Sequence, residues 1–199
     1  MAGSNAEPDR PAQRYDLYLR AGRARFQLRN GDNGVTLGED GIGWISDGRM
    51  DGAKLSAIAA VHMQSGGDWR NPLSQCIIHF RDGYRLTVTD GNGYGVADSA
   101  QAATFDAFVR DLHARLAALP STSAVFTAGY GEATYHLIMI CAFILALIGV
   151  GIPVIATLAT GEIRLLGVAL GAGFLLWPLT RMISANAPRT YDPARPPVL

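Results

Sequence analysis

The chain has 199 residues, 49% of them hydrophobic, and its 17 basic side chains are matched by 17 acidic ones to give no formal net charge. That balance supplies no concentrated positive surface for phosphates and argues against a nucleic-acid partner. Two long apolar runs near the end leave roughly 130 residues ahead of them, enough for one compact domain and too few for two.

Charge is unevenly spread: residues 1–134 carry 13 of the basic and 15 of the acidic groups, so the first part is slightly acidic and the remainder slightly basic. All the basic residues but Lys54 are arginine, which reads as the compositional bias of a GC-rich bacterial genome. Cys76 falls in an expected strand and Cys141 in an expected membrane helix, so a disulfide between them is not expected.

Residues 1–13 are polar, without periodicity, and interrupted by Pro8 and Pro11. They read as a disordered leader and lack the apolar core of a secretory signal, which leaves the first domain in the cytoplasm. A domain over 14–119 follows, mostly β at first. Tyr15 to Arg20 fits either a first strand or a short helix. Residues 25–29 alternate polar and apolar strictly, and Val35 with Leu37 and Ile42 with Trp44 keep the same period of two, as strands with one buried face do. Gly31-Asp32-Asn33-Gly34, Asp40-Gly41 and Asp47-Gly48 supply turns between them. Residues 76–80 and 85–89 form the clearest hairpin, joined through Arg81-Asp82-Gly83-Tyr84, where Asp-Gly suits a type I′ turn.

After Gly95 the period changes. Phe105, Phe108, Val109, Leu112 and Leu116 fall at helical spacing, with Arg110, Asp111, Ala114 and Arg115 assigned to other faces. Asp98 or Ser99 caps the start and Pro120 stops the helix. One helix cannot bury its stripe alone, so the expected fold class is α+β: a small bent antiparallel sheet of about seven strands closed by this amphipathic helix.

This order resembles a pleckstrin-homology-like domain of the bacterial type. The resemblance covers residues 15–119. It rests on the meander of short strands, the stretch Lys54-Leu55-Ser56-Ala57-Ile58-Ala59-Ala60-Val61, the Phe80-Arg81-Asp82-Gly83 hairpin and the closing helix Phe105-Asp106-Ala107-Phe108-Val109-Arg110-Asp111-Leu112-His113. It implies a PH-like fold of the kind that accompanies transmembrane hairpins in bacterial inner-membrane proteins. Lipid specificity does not follow from it.

Residues 120–134 read as a small-residue linker, and 135–184 as a transmembrane hairpin with spans of about 136–159 and 163–183. Residues 137–159 carry no charge, and at about 1.5 Å per residue they make a helix of about 35 Å, enough to cross a hydrocarbon core of about 30 Å. The second run, 165–180, reaches only about 24 Å, and Arg164 and Arg181 extend it by turning their charged ends outward. The connection between the runs is short, so the helices are antiparallel neighbours. Arg181, Arg189 and Arg195 flank the exit whereas the turn holds Arg164 beside Glu162, so the positive-inside rule places both termini in the cytoplasm of a bacterial inner membrane. Tyr135 and Trp177 suit the membrane interface.

Gly149, Gly151 and Pro153 predict a local bend in the first span. Gly167 and Gly171, continued by Ala169 and Gly173, form a small-residue face, and the first span offers Ala142 and Ala146. The face serves either packing within the hairpin or a homo-oligomer contact. Residues 185–199 form a proline-rich tail that resembles the Asn-x-Pro-x-x-Tyr-Asp-Pro ending of small proteobacterial inner-membrane proteins. Its stiff extended backbone suits a docking peptide or a segment packed on its own domain.

His62, His79, His113 and His136 show no ligand spacing, so no metal and no cofactor is expected. Gly91-Asn92-Gly93-Tyr94-Gly95 lacks the lysine of a phosphate-binding loop. No catalytic residues stand out, and the expectation is a non-enzymatic protein whose partners are membrane lipid and another protein. Arg20, Arg23, Arg25 and Arg29 form a basic stripe around the first strands, where each cation near an anionic leaflet contributes on the order of 1 kcal/mol of attraction. The alternative reading is that the stripe only keeps the sheet soluble, which the slightly acidic balance of the domain favours.

Overall fold

The computed structural model describes residues 12–22, 32–46, 48–68, 71–92, 96–119 and 123–197. The chain divides into two compact units, Met1–Thr127 with Thr190–Leu199, and Ala128–Arg189.

The first unit is built on a nine-stranded sheet. The strands are β1 (Gln13–Gly22), β2 (Asp32–Leu37), β3 (Gly41–Ser46), β4 (Arg49–Lys54), β5 (Ile58–Asp68), β6 (Asn71–Phe80), β7 (Arg85–Thr89), β8 (Val125–Ala128) and β9 (Arg189–Thr190). Their order is β4-β3-β2-β1-β7-β6-β5-β8-β9. From β4 through to β5 every neighbouring pair runs antiparallel.

Tyr15, Leu17 and Leu19 are buried in alternation along β1, which settles this segment as a strand and not a helix. The same rhythm buries Val35 and Leu37, Ile42 and Trp44, Val61 and Met63, Cys76, Ile78 and Phe80, and Leu86 with Val88. The expected strand at 25–29 lies outside the described residues. A 3₁₀ turn at Leu55–Ala57 joins β4 to β5 and buries Leu55.

The β6–β7 hairpin forms as expected, but its turn differs from the expected two-residue type, which would set Phe80 opposite Arg85; His79 stands there instead. Gly83 N–H donates to the Phe80 carbonyl at 3.1 Å, closing a turn over Arg81 and Asp82. Gly83 follows with φ +83°, and the Asp82 carboxylate accepts from Tyr84 N–H at 2.9 Å. The connection is therefore one of the longer hairpin loops that place a left-handed glycine after the turn.

α1 (Ser99–Ala118) closes the sheet. The Asp98 carboxylate accepts from Ala100 N–H at 3.0 Å and caps it, as the sequence suggested. All five expected apolar positions are buried, and Phe108 meets Tyr15 edge-on at 5.6 Å. Each such side chain contributes about 1.5–3 kcal/mol of burial. Arg115 departs from the expectation, because its side chain is 5% exposed and not on an outer face. Its Nε donates to Asp111 at 3.0 Å, a second guanidinium nitrogen donates to the Gly38 carbonyl at 2.7 Å, and the Tyr15 hydroxyl donates to the same Asp111 oxygen at 3.1 Å. The charge is carried into the interior because every partner it needs is at hand.

The sheet exceeds the expected seven strands because residues 125–128, inside the stretch read as a linker, form β8, and the segment after the apolar helices returns as β9. β8 buries Phe126 and Ala128 on one side.

The second unit holds the apolar helices: α2 (Glu132–Ala146), a π-helical turn at Leu147–Gly151, α3 (Ile152–Thr160) and α4 (Arg164–Ala185). The π turn falls where a bend was expected. Pro153 has no N–H to return to the carbonyl of residue 149, so the regular ladder is interrupted there. Gly161, with φ +74°, ends α3. Glu132–Thr160 and Arg164–Ala185 are both long and apolar enough to cross a membrane, with mean hydropathies of 2.9 and 1.5. Gly129 has φ +94°, and a Cβ there would lie 2.7 Å from the Asn186 carbonyl and collide with that of Ala187, so only glycine fits.

Candidate functional site

Of the basic stripe, Arg20 lies in β1 opposite Thr87 of β7, whereas Arg23, Arg25 and Arg29 lie outside the described residues. Register places two further basic side chains on the same face of the sheet as Arg20. Arg85 is two residues from Thr87, and His79 stands directly opposite Arg85. Burial, and then the neighbouring Arg85 charge, hold the His79 imidazole below its ordinary pKa. Sequence alone places His79 and Arg85 on one hairpin but could not bring Arg20 beside them, since β1 lies far from β7 in the chain.

An open groove of about 340 Å³ lies along β2, β3 and β4, lined among others by Arg14, Thr36, Ile45 and Met50. Gly34, Gly38, Gly41 and Gly43 contribute bare backbone to it. Glycine within strands weakens them but lets another group approach the backbone closely. The Arg14 guanidinium stands over Gly34, 3.1 Å from where a Cβ would be, and pairs with Asp16 at 3.1 Å. Met50 is 84% exposed. The groove thus offers flat apolar contact and one exposed cation. Among the described residues that line it there is no carboxylate pair, thiol or imidazole. Trp44, buried in β3, stacks on Tyr84 with ring centres 5.6 Å apart.

A second polar cluster surrounds His113, which is 1% exposed. Its Nδ1 lies 2.7 Å from the Val109 carbonyl, which can only accept, so Nδ1 carries the hydrogen. Nε2 is then the acceptor, and the Tyr191 hydroxyl donates to it at 2.7 Å. Burial holds the imidazole below its usual pKa, and it pushes the Tyr191 phenol up. Phe126 completes the cluster, 5.6 Å from the His113 ring and 5.8 Å from that of Tyr191. Nearby in the sheet, His62 Nδ1 and the Thr127 hydroxyl share a hydrogen bond of 2.9 Å.

No group of three or more potential metal-ligating side chains occurs among the described residues. Burial raises the Cys76 thiol to about 12, so it is not a nucleophile at neutral pH.

In the second unit, Tyr135 sits half-buried in the first turn of α2, Trp177 is 67% exposed on α4, and Arg181 is exposed. Arg164 opens α4 with Glu162 at 3.9 Å. The inward positions of α4 are Leu165, Ala169, Ala172, Leu176, Leu179 and Ile183, a run of alternating four- and three-residue steps. Gly149 meets Ala172 closely, a Cβ on it being 3.1 Å from the Ala172 methyl. Gly167, Gly171 and Gly173 stand off this seam, with nothing within 4 Å of a Cβ on any of them. Of the small residues expected to pack the hairpin, Ala142, Ala146 and Ala169 take inward positions.

No protein-family model matches the chain, and no curated protein matches it either.

Proposed function

We propose that the protein is a non-catalytic integral membrane protein that presents a cytoplasmic PH-like domain for protein interaction or assembly at a bacterial inner membrane. One observation carries this reading: two helices are long and apolar enough to span, and the most apolar window of the first is 0% buried within the protein. A soluble protein hides such a surface; lipid is the solvent that accepts it. The seven strands from β4 to β5 in sheet order, closed by one helix, support the PH-like part of the proposal. The strands that precede and follow the apolar helices in the chain, β8 and β9, are neighbours in one sheet, which supports a topology with both termini on one side.

The interaction role is tested by photo-crosslinking the intact protein in native membranes from a probe at Met50, with the adducts identified by mass spectrometry. A discrete protein neighbour is expected. Recovery of lipid adducts alone would contradict it.

A second reading, an anionic-lipid-sensing module, draws support from the shared face of Arg20, Arg85 and His79. Native mass spectrometry of the detergent-solubilised protein tests it. Anionic lipid should be retained and then lost on Arg20→Ala with Arg85→Ala. Equal retention by both forms would dismiss this reading.

A further inference from the structure

The soluble unit is discontinuous in sequence, since Thr190–Leu199 belongs to the same compact body as the residues ahead of the apolar helices. β9 is the edge strand beside β8, and Tyr191 N–H donates to the Phe126 carbonyl at 3.2 Å. The Tyr191 ring packs on Phe126 and His113, and its hydroxyl satisfies His113 Nε2. With Nδ1 engaged by Val109, that hydroxyl is the donor the buried ring needs. An imidazole nitrogen left buried without one is costly. The residues making this contact are 78 positions apart, with both apolar helices between them in the chain.

We propose that the segment beginning at Thr190 is a latch that completes the soluble unit, and that it seats only when the apolar helices deliver both their ends to the same side of the bilayer. The inference rests on the membrane reading of those helices and adds a coupling to it. Folding of the soluble unit reports whether the second span has inserted. A chain with a single inserted span holds Tyr191 on the far side, and the place between His113 and Phe126 stays unfilled.

Val125 and Asp192 each adjoin a partner of the hydrogen bond from Tyr191 N–H to the Phe126 carbonyl, and they are the positions chosen for a disulfide test. Both are exposed, so cysteines there disturb no core. The full chain carrying Val125→Cys, Asp192→Cys and Cys141→Ser is oxidised mildly in isolated membranes and mapped by mass spectrometry. A disulfide within a single chain is expected in most molecules. Deleting Arg164–Ala185, in a chain that still sediments with membranes, should reduce its yield at least tenfold. Three outcomes overturn the proposal: no disulfide in the full chain, a disulfide only between two chains, or an undiminished yield after the deletion. Should the deleted chain be degraded, Tyr191→Ala in the full chain makes the same test, with a several-fold lower yield expected and an unchanged yield overturning the latch. Failure of the membrane reading shows separately, as protein in the soluble fraction before any oxidant is added.

Discussion

Arg115, only 5% exposed, bonds to Asp111 and to the Gly38 carbonyl, and Asp111 also accepts from the Tyr15 hydroxyl. Removing one member of a buried pair strands the other charge, which typically costs several kcal/mol. Arg115→Ala is therefore expected to destabilise the first unit by about 3 kcal/mol, and Tyr15→Phe by about 1 kcal/mol, both read from denaturant unfolding in detergent by tryptophan fluorescence. A loss below about 0.5 kcal/mol for Arg115→Ala, the level of an ordinary surface substitution, would contradict the buried network. His113 gives a pH signature. Its imidazole is held below the ordinary value by burial, so near pH 6.5 and below the unfolded chain binds the proton that the folded chain refuses. Stability from this group is complete above the unfolded pKa of about 6.5, and it is lost as pH falls from there through the folded value. Unfolding midpoints measured from pH 8 to pH 5 should fall, and His113→Gln should flatten the slope. The apolar stripe of α1 was legible in the sequence because helical spacing is periodic. The burial of Arg115 and His113 was not, since it depends on Gly38, Tyr15 and Tyr191, which lie far from α1 in the chain.

At the scale of elements, the small residues of α4 divide by face. Ala169 and Ala172 lie inward, toward the first span, whereas Gly167 and Gly171 do not. Ala172→Leu should force its extra atoms against Gly149 and disrupt the helical hairpin, while Gly171→Leu should leave hairpin packing intact. Thermal unfolding of the detergent-solubilised protein, compared for the two variants, checks this. Equal losses would contradict the seam. Sequence pattern marked both apolar helices and offered Gly167, Gly171 and Gly173 with Ala142, Ala146 and Ala169 as small-residue packing positions, but a small-xxx-small spacing says nothing of which side of a helix a neighbour occupies. β8 and β9 were hidden for another reason. Four residues with one large apolar side chain, Phe126, and a two-residue strand carry too short an alternation to register. Pairing with β5 and with each other makes them strands, and that information is spread over more than a hundred residues of chain.

For the molecule as a whole, the apolar helices fall, in chain order, between two strands of one sheet and are not simply appended behind a finished domain. The sequence marked the apolar runs plainly, because hydropathy sums over many residues and no single contact decides it. It offered a tail packed on its own domain as one of two readings, but not where the tail seats, which rests on the few contacts of Tyr191. Lipid as the solvent of both helices is the central claim, and alkaline carbonate extraction of membranes from cells expressing the intact chain tests it most directly. The protein is expected to remain wholly in the membrane pellet and to leave it only with detergent. Release into the carbonate supernatant as a dispersed, folded protein would contradict the account.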